Sequence, residues 1–252
     1  MRTKHKRLSW LAVALMAPLA WGQAMAQTLP DAGEVIAKYV AAIGGRDAVM
    51  RQSARRTTGT FAVPAQGITG NFEAFAMAPN RAVLHANVPG LGDVAGGYDG
   101  EVAWSLNPAM GPMVLEGRML DQMRQQSDLY APLHGEDFIK SMETVEAVDF
   151  EGTPCYKVKI VTVWDEEYHE YFSRDSGLLI GSVRQSATPM GEMEATTVYA
   201  DYTEVAGLLI PYKSVQRMMG FEQVFTAETI EPATVPDSVF ALPREIKALI
   251  GK

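Results

Sequence analysis

Most of this chain consists of short segments in which apolar and polar residues alternate. From about residue 54 onward, β-branched and aromatic residues recur at every second position, and turn-forming residues interrupt them roughly every eight to twelve residues. Successive side chains of a strand point to opposite faces, so this period of two predicts strands with one buried face. Short turns between strands favour antiparallel pairing of chain neighbours. The sequence therefore predicts an antiparallel sheet built as a meander.

The predicted strands fall into two groups, separated by a segment with a different period. Asp99-Gly100 is a strong two-residue hairpin signal within the first group. The first group covers residues 54–63, 67–77, 80–88, 92–98 and 101–106, and the second covers 143–151, 154–164, 167–173, 178–186, 193–205, 208–219 and 221–230.

Helical spacing occurs at the beginning, in the middle and at the end of the chain. Asp31 can cap a first helix that ends at Gly44-Gly45. In the middle, the prolines and glycine of 107–113 argue against strand or helix, while 114–129 and 135–141 return to helical spacing. A last short helix is predicted at 243–250. A helical insert within a β-chain must lie on one face or at one end of the sheet.

The amino terminus has the three parts of a secretory signal. A basic start precedes the apolar stretch 8–21, and Ala24-Met25-Ala26 forms a small-x-small cleavage site. We therefore expect a signal peptide at 1–26, a single domain at 27–252, and a soluble periplasmic product without a transmembrane segment. The whole chain has net charge −8, and without the four basic residues of the signal it has −12. This acidic balance argues against a nucleic-acid partner.

The motifs of the common enzyme classes are absent from the sequence. No paired histidines with zinc-ligand spacing, no Gly-x-Ser-x-Gly elbow and no phosphate loop occur. We expect no catalytic residues, no metal and no cofactor. The acidic run 165–170, which contains His169, is interpreted as a solvated hairpin tip because like charges prefer water. The single cysteine, Cys155, is interpreted as a buried structural thiol.

Methionine is unusually frequent, with 14 residues in the chain, and several of these lie around the central insert. Flexible, polarizable methionine side chains suit a surface that accepts apolar ligands, although core filling explains them equally well. The candidate ligand contacts flank the irregular loop where the insert leaves the sheet. They are Trp104, Met113, Met119, Leu120 and Met123.

With these pieces in order, the chain resembles the outer membrane lipoprotein-sorting protein family, relatives of the periplasmic lipoprotein carrier and its outer-membrane receptor. The resemblance covers nearly all of the chain after the signal. It rests on Ala37-Lys38-Tyr39 with Gly44-Gly45, Pro79-Asn80-Arg81, Gly97-Tyr98-Asp99-Gly100 with Ala103-Trp104, Tyr171-Phe172 with Ser176-Gly177-Leu178-Leu179, Asp201-Tyr202 with 207–212, and Pro236-Asp237-Ser238-Val239-Phe240.

The resemblance implies a mainly β (α+β) fold, in which a strongly curved antiparallel sheet forms an incomplete barrel. An N-terminal helix and the central helical insert would cover its concave face and enclose an apolar cavity. It also implies a non-enzymatic binding or transfer protein for a lipid or for lipoprotein acyl chains, with another cell-envelope protein as a further partner. Two alternatives stay open: a structural or interaction module whose core is filled by its own side chains, and, less favoured, an envelope hydrolase.

Overall fold

The computed structural model describes residues 28–251, so the predicted signal peptide lies outside the described residues. The helices are α1 (Ala32–Ala42), α2 (Arg46–Met50), α3 (Arg118–Gln126) and α4 (Arg244–Leu249). The strands are β1 (Ala54–Val63), β2 (Ile68–Met77), β3 (Arg81–Val88), β4 (Gly92–Tyr98), β5 (Ala103–Asn107), β6 (Gly111–Leu115), β7 (Ile139–Phe150), β8 (Thr153–Thr162), β9 (Glu167–Ser173), β10 (Leu179–Thr188), β11 (Gly191–Val205), β12 (Leu208–Met218) and β13 (Phe221–Pro232). No helix within 28–251 is both long and apolar enough to cross a membrane.

All thirteen strands belong to one antiparallel sheet with the order β6-β5-β4-β3-β2-β1-β13-β12-β11-β10-β9-β8-β7. Every strand pairs with its neighbour in the chain, except that β1 and β13 pair at the centre and β6 and β7 form the two edges. The sheet does not close, because β6 and β7 are not hydrogen-bonded to each other. This confirms the predicted incomplete barrel and its meander order.

The chain between the two edge strands must travel from one edge of the sheet to the other. This lid segment, residues 116–138, contains α3 and a single 3₁₀ turn at Ala131–Leu133. It lies across the concave face, beside α1. The predicted covering of the concave face by an N-terminal helix and a central insert is therefore confirmed, and the open order of the sheet explains why the insert has to span it.

α1 docks on the half of the sheet that contains β8, β9 and β12. Asp31 caps it as predicted, since its Oδ1 accepts a hydrogen bond from the Gly33 N–H at 2.8 Å. At the other end, the Leu209 N–H donates to the Ile43 carbonyl at 2.8 Å, which ties the helix to β12. Its apolar stripe packs in the largest buried cluster, together with Val158, Ile160, Tyr168, Phe172, Leu208, Ile210 and Ile230. Cys155 is fully buried in β8, as expected for a structural thiol.

Two local predictions around the insert were wrong. Residues 111–113 belong to β6 instead of a loop, because β6 is an edge strand where the missing N–H of Pro112 interrupts no ladder. The helical piece expected at 135–141 is a turn that leads directly into β7, which begins at Ile139. The predicted helix at 114–129 exists but is shorter, since β6 takes its first residues.

The carboxyl-terminal segment packs on the convex face. Val235, Phe240 and Ile246 of this segment form a buried cluster with Val83 and Trp104, whose side chains point to that face. α4 is therefore separated from the concave face by the sheet itself, and it packs against the outside of the half-barrel.

Candidate functional site

The largest described cavity on the concave face lies between the sheet, α1 and the lid segment. We call it the main cavity; its volume is about 480 Å³. Its walls are mostly aromatic and aliphatic, with a few polar side chains. They include Tyr39, Ile43, Arg55, Thr57, Phe72, Gln126, Asp128, Leu129, Pro132, His134, Glu170, Leu179, Tyr199, Tyr202, Leu208, Ile210, Tyr212, Ser214, Phe225, Ala227 and Ile230. Volume and lining fall within the range of small-molecule binding sites in proteins.

The strand register explains how these side chains come together. Thr57 of β1, Phe225 and Ala227 of β13, and Tyr199 of β11 all point to the concave face. Alternate residues of the same strands, such as Thr226, point to the convex face. A shift of one residue in any strand would reverse this distribution, so the cavity depends on the register of the whole sheet.

A histidine–glutamate pair joins the lid segment to the sheet inside this cavity. His134 Nε2 lies 2.7 Å from Glu170 Oε2, and the two side chains are only 5% and 13% exposed. His134 Nδ1 lies 3.1 Å from the Pro132 carbonyl oxygen. Both partners accept hydrogen bonds, so both ring nitrogens must carry a proton, which requires the charged imidazolium. Burial by itself lowers the pKa of His134, but the Glu170 carboxylate outweighs it and the net shift is upward.

This pair lacks the geometry of a catalytic dyad. A general base must leave one ring nitrogen free to take a proton from a nucleophile. Both nitrogens of His134 are engaged by acceptors, and its ring packs edge-on against Tyr39 and Phe172. The pair therefore links the lid segment to the sheet through a buried charged contact.

Three tyrosines give the main cavity neutral hydroxyl groups. Burial, followed by the nearby Glu170 charge, raises the pKa of Tyr39 and Tyr199. Burial also raises the pKa of Tyr202, whose hydroxyl donates to the Leu179 carbonyl at 2.7 Å. These phenols stay protonated at neutral pH, so they add hydrogen-bonding capacity without charge.

α3 is held on the sheet by hydrogen bonds rather than by an apolar face. Its two most buried side chains are Gln122 and Gln125. Gln122 donates to Glu166 at 2.8 Å and to the Gln185 carbonyl at 2.7 Å, and it accepts from the Ala187 N–H at 2.9 Å. These hydrogen bonds therefore fix the position of the lid helix on the sheet.

The same contacts show that part of the acidic run was misread. Asp165 and Glu167 are exposed as expected for a hairpin tip, but Glu166 is only 3% exposed and Glu170 lies in the main cavity. The lid covers these two carboxylates, and no local sequence pattern indicates this because their partners, Gln122 and His134, lie far away in the chain.

A second, smaller cavity of about 310 Å³ lies under α3, beside β5 and β6. Three of the candidate contacts line it together: Met113 of β6, and Met119 and Met123 of α3. We call it the methionine pocket. Gln126 borders both this pocket and the main cavity. The structure thus brings the predicted methionines together and places them next to the larger site.

The other two candidates are placed differently. Trp104 borders the methionine pocket, but it is 2% exposed and packs mainly in the convex cluster with Phe240 and Ile246. Leu120 is half-buried on α3 and is not among the residues that line the pocket.

The methionine pocket lies near the end of the sheet where the turns β1–β2, β3–β4, β5–β6, β10–β11 and β12–β13 meet. None of these five turns contains a charged residue between its strands, whereas the β8–β9 turn at the same end contains Asp165 and Glu166. Exposed apolar side chains stand on four of them, namely Leu91, Met110, Met190, Met219 and Phe221. We call these five turns the apolar rim; the charged β8–β9 turn stands beside it at the same end of the sheet.

Sequence reasoning missed the residues that define the main cavity. Tyr39, Arg55, His134, Glu170 and Tyr199 come from different elements, and nothing in their local sequence distinguishes them from surface or core residues. One signal was available: in Arg55-Arg56, strand alternation puts one arginine on the face that the sheet buries.

Fold and site together describe an open half-barrel whose concave face holds a cavity beneath a helical lid. Solved structures with this architecture include a LolA superfamily protein from Nitrosomonas europaea (TM-score 0.56, 12% identity, covering 85% of this chain and 99% of that one). A second is a putative outer membrane lipoprotein-sorting protein domain from Vibrio parahaemolyticus (TM-score 0.52, 9% identity, covering 82% of this chain and 95% of that one). A third is a DUF1329 family protein from Desulfovibrio piger (TM-score 0.53, 10% identity, covering 82% of this chain and 96% of that one).

These neighbours support the resemblance drawn from the sequence and confirm the fold that it implied. At 9–12% identity the likeness concerns the fold alone. No family model matches the chain, and no curated protein matches it significantly.

Proposed function

We propose that this chain is a non-enzymatic periplasmic protein that binds or transfers a lipid or lipoprotein acyl chains in the main cavity. The observation that carries the proposal is the cavity of about 480 Å³, lined mainly by apolar and aromatic side chains, on the concave face under the lid. Transfer of an acyl chain from water into such a site is favourable by about 0.8 kcal/mol per CH₂.

The lid contacts support binding and release without chemistry. Because α3 is held by the hydrogen bonds of Gln122 and Gln125, it can separate from the sheet without exposing a large apolar face. The methionine pocket and the apolar rim add an apolar surface beside the main cavity. Two fold neighbours carry lipoprotein-sorting or LolA superfamily names, which fits the same role. A module filled by its own side chains is less well supported, because its core would leave no such cavity.

The test compares two substitutions on adjacent residues of β13. Ala227 points into the main cavity and Thr226 points to the convex face, so Ala227→Trp fills the site while Thr226→Trp adds the same bulk outside. We expect a fluorescent fatty acid to bind the mature wild-type protein and Thr226→Trp alike, and to bind Ala227→Trp at least about tenfold more weakly.

Solvent extraction of the purified protein, followed by mass spectrometry, identifies any lipid that it carries from the cell. If no lipid is extracted and the fluorescent fatty acid does not bind, the proposal is refuted. Equal binding by both tryptophan variants would instead show that the fatty acid binds outside the main cavity. Replacing Met119 and Met123 by Ser tests whether the methionine pocket belongs to the same site.

A further inference from the structure

Arg55 is the one arginine that lines the main cavity. It lies on the concave face of β1, and it also borders a smaller cavity of about 210 Å³ beneath α2, so it stands where the two spaces meet. The exposed Arg51 lines the smaller cavity too, and so does Glu231, whose carboxylate pairs with Arg56. With two arginines and one carboxylate that is already paired, this end of the main cavity is its cationic end.

The Arg55 guanidinium has no partner among residues 28–251. It makes no hydrogen bond and no ion pair with a described residue, although it could offer five N–H donors. The next residue provides the contrast. Arg56 points to the convex face, where it pairs with Glu73 at 2.6 Å and Glu231 at 3.4 Å. Adjacent arginines of one strand thus differ in that one is neutralised and the other is not.

The charges around Arg55 do not compensate for it. Burial lowers the pKa of Arg55, and no carboxylate acts in the opposite direction. Glu170 is neutralised by His134. Asp128 lies in the lid, where it accepts a hydrogen bond from the Tyr130 N–H at 2.9 Å. Arg55 is half-buried and stays charged under these conditions, and a half-buried charge without a counterion is costly to maintain.

The side chains that line the main cavity change from polar to aromatic along β1. Beyond Arg55 and Thr57 the concave face passes to Phe72 and Phe225, which form an aromatic cluster with Phe61. Phe61 is six residues from Arg55, or about 20 Å along the strand. A cation at one end of an apolar trough is complementary to an amphiphile with a negative head and an apolar tail.

We propose, building on the acyl-chain function above, that Arg55 binds the anionic head group, a carboxylate or a phosphate, of an amphiphile whose apolar part occupies the main cavity. The planar guanidinium can hold either group through two parallel hydrogen bonds. On this view the unpaired charge is retained for the ligand at a cost to the stability of the free protein.

The experiment measures displacement of an apolar fluorophore from the mature protein by hexadecanoate, hexadecyl phosphate, hexadecanol and inorganic phosphate. We expect both anionic amphiphiles to bind at least about tenfold more tightly than hexadecanol, the usual scale of a charge-assisted hydrogen bond. Arg55→Met should abolish this preference, so that the anionic amphiphiles bind no more tightly than hexadecanol, and Arg55→Lys should retain part of it. Arg56→Met is the matched control and should keep the full preference.

Thermal unfolding of the ligand-free variants separates a binding role from a structural one. We expect Arg55→Met to unfold at the same or a higher temperature than the wild type, because it removes an unpaired charge. A clear loss of stability would make Arg55 structural and overturn the inference. If Asp128→Asn abolished the anion preference as Arg55→Met does, the arginine would serve a lid contact instead, which also overturns it.

The remaining outcomes are equally decisive. If hexadecanol binds as tightly as hexadecanoate, the head-group inference fails while the proposed function stands. If no amphiphile binds, both fail. If inorganic phosphate alone displaces the fluorophore and its effect depends on Arg55, the site takes a small free anion and the amphiphile assignment is overturned.

Discussion

Replacement of Gln122 by Met should release the lid helix without weakening the sheet. The substitution keeps the length of the side chain but removes three hydrogen bonds, those with Glu166, Gln185 and Ala187. Gln122 is 4% exposed, so its former partners lose their bonds away from water. Leaving a buried polar group unsatisfied costs about 1–3 kcal/mol, and more for a carboxylate such as Glu166. We therefore expect α3 to lose about 3 kcal/mol of local stability.

Native-state hydrogen exchange measures this loss directly, because it reports local opening separately from global unfolding. A change of about 3 kcal/mol should accelerate exchange of the α3 amides roughly 100-fold. Amides of β8 and β12 should keep their protection. Gln126→Met is the matched control, since Gln126 is exposed on the same helix. Equal acceleration by both variants, or an equal loss across the whole sheet, would refute the view that hydrogen bonds of Gln122 hold the lid.

Three further predictions concern other parts of the molecule. Gly44→Ala should cost about 3 kcal/mol in urea unfolding, because the new Cβ would lie 2.2 Å from a carbonyl oxygen of the β11–β12 turn at a φ of +122°. Gly45→Ala, with positive φ but open space, should cost only about 1 kcal/mol. Cys155 should react with a thiol reagent only on unfolding, since it is fully buried and burial raises its pKa to about 11. His134 has a raised pKa, so the stability that it gains from Glu170 is fully present below pH 6.5 and declines as pH rises through the folded-state value. The difference in unfolding free energy between wild type and His134→Gln should accordingly shrink as the pH rises above 6.5; a constant difference would contradict the charged pair.

Local features explain why most elements were predicted correctly. Asp31 and Gly44-Gly45 delimit α1 because capping and left-handed conformations depend on the residue itself. The turn at Asp99-Gly100 and the alternation of the strands are likewise local. The errors occurred where tertiary position overrides local preference: Pro112 is acceptable in β6 only because no strand pairs beyond that edge.

In the candidate site, too, some residues could be predicted from the local sequence and others only from the tertiary structure. Met113, Met119 and Met123 could be proposed from the sequence because they lie close together in the chain, at the point where the insert leaves the sheet. The contacts between Gln122 and Glu166 and between His134 and Glu170 span 44 and 36 residues. No spacing rule relates residues at such separations, so these contacts appear only after the sheet and the lid are assembled.

The sequence alone determined the kind of structure: a meander of antiparallel strands, a capped first helix and a helical insert at the middle. Only the tertiary structure decided that β1 and β13 pair at the centre, which places the two ends of the insert at opposite edges and makes it a lid. It also decided which of two adjacent arginines, Arg55 or Arg56, faces the cavity without a partner. The physical reason is that alternation fixes only that neighbouring side chains face opposite ways, while the direction in which the sheet curves and the place where the lid lies fix which face encloses the site.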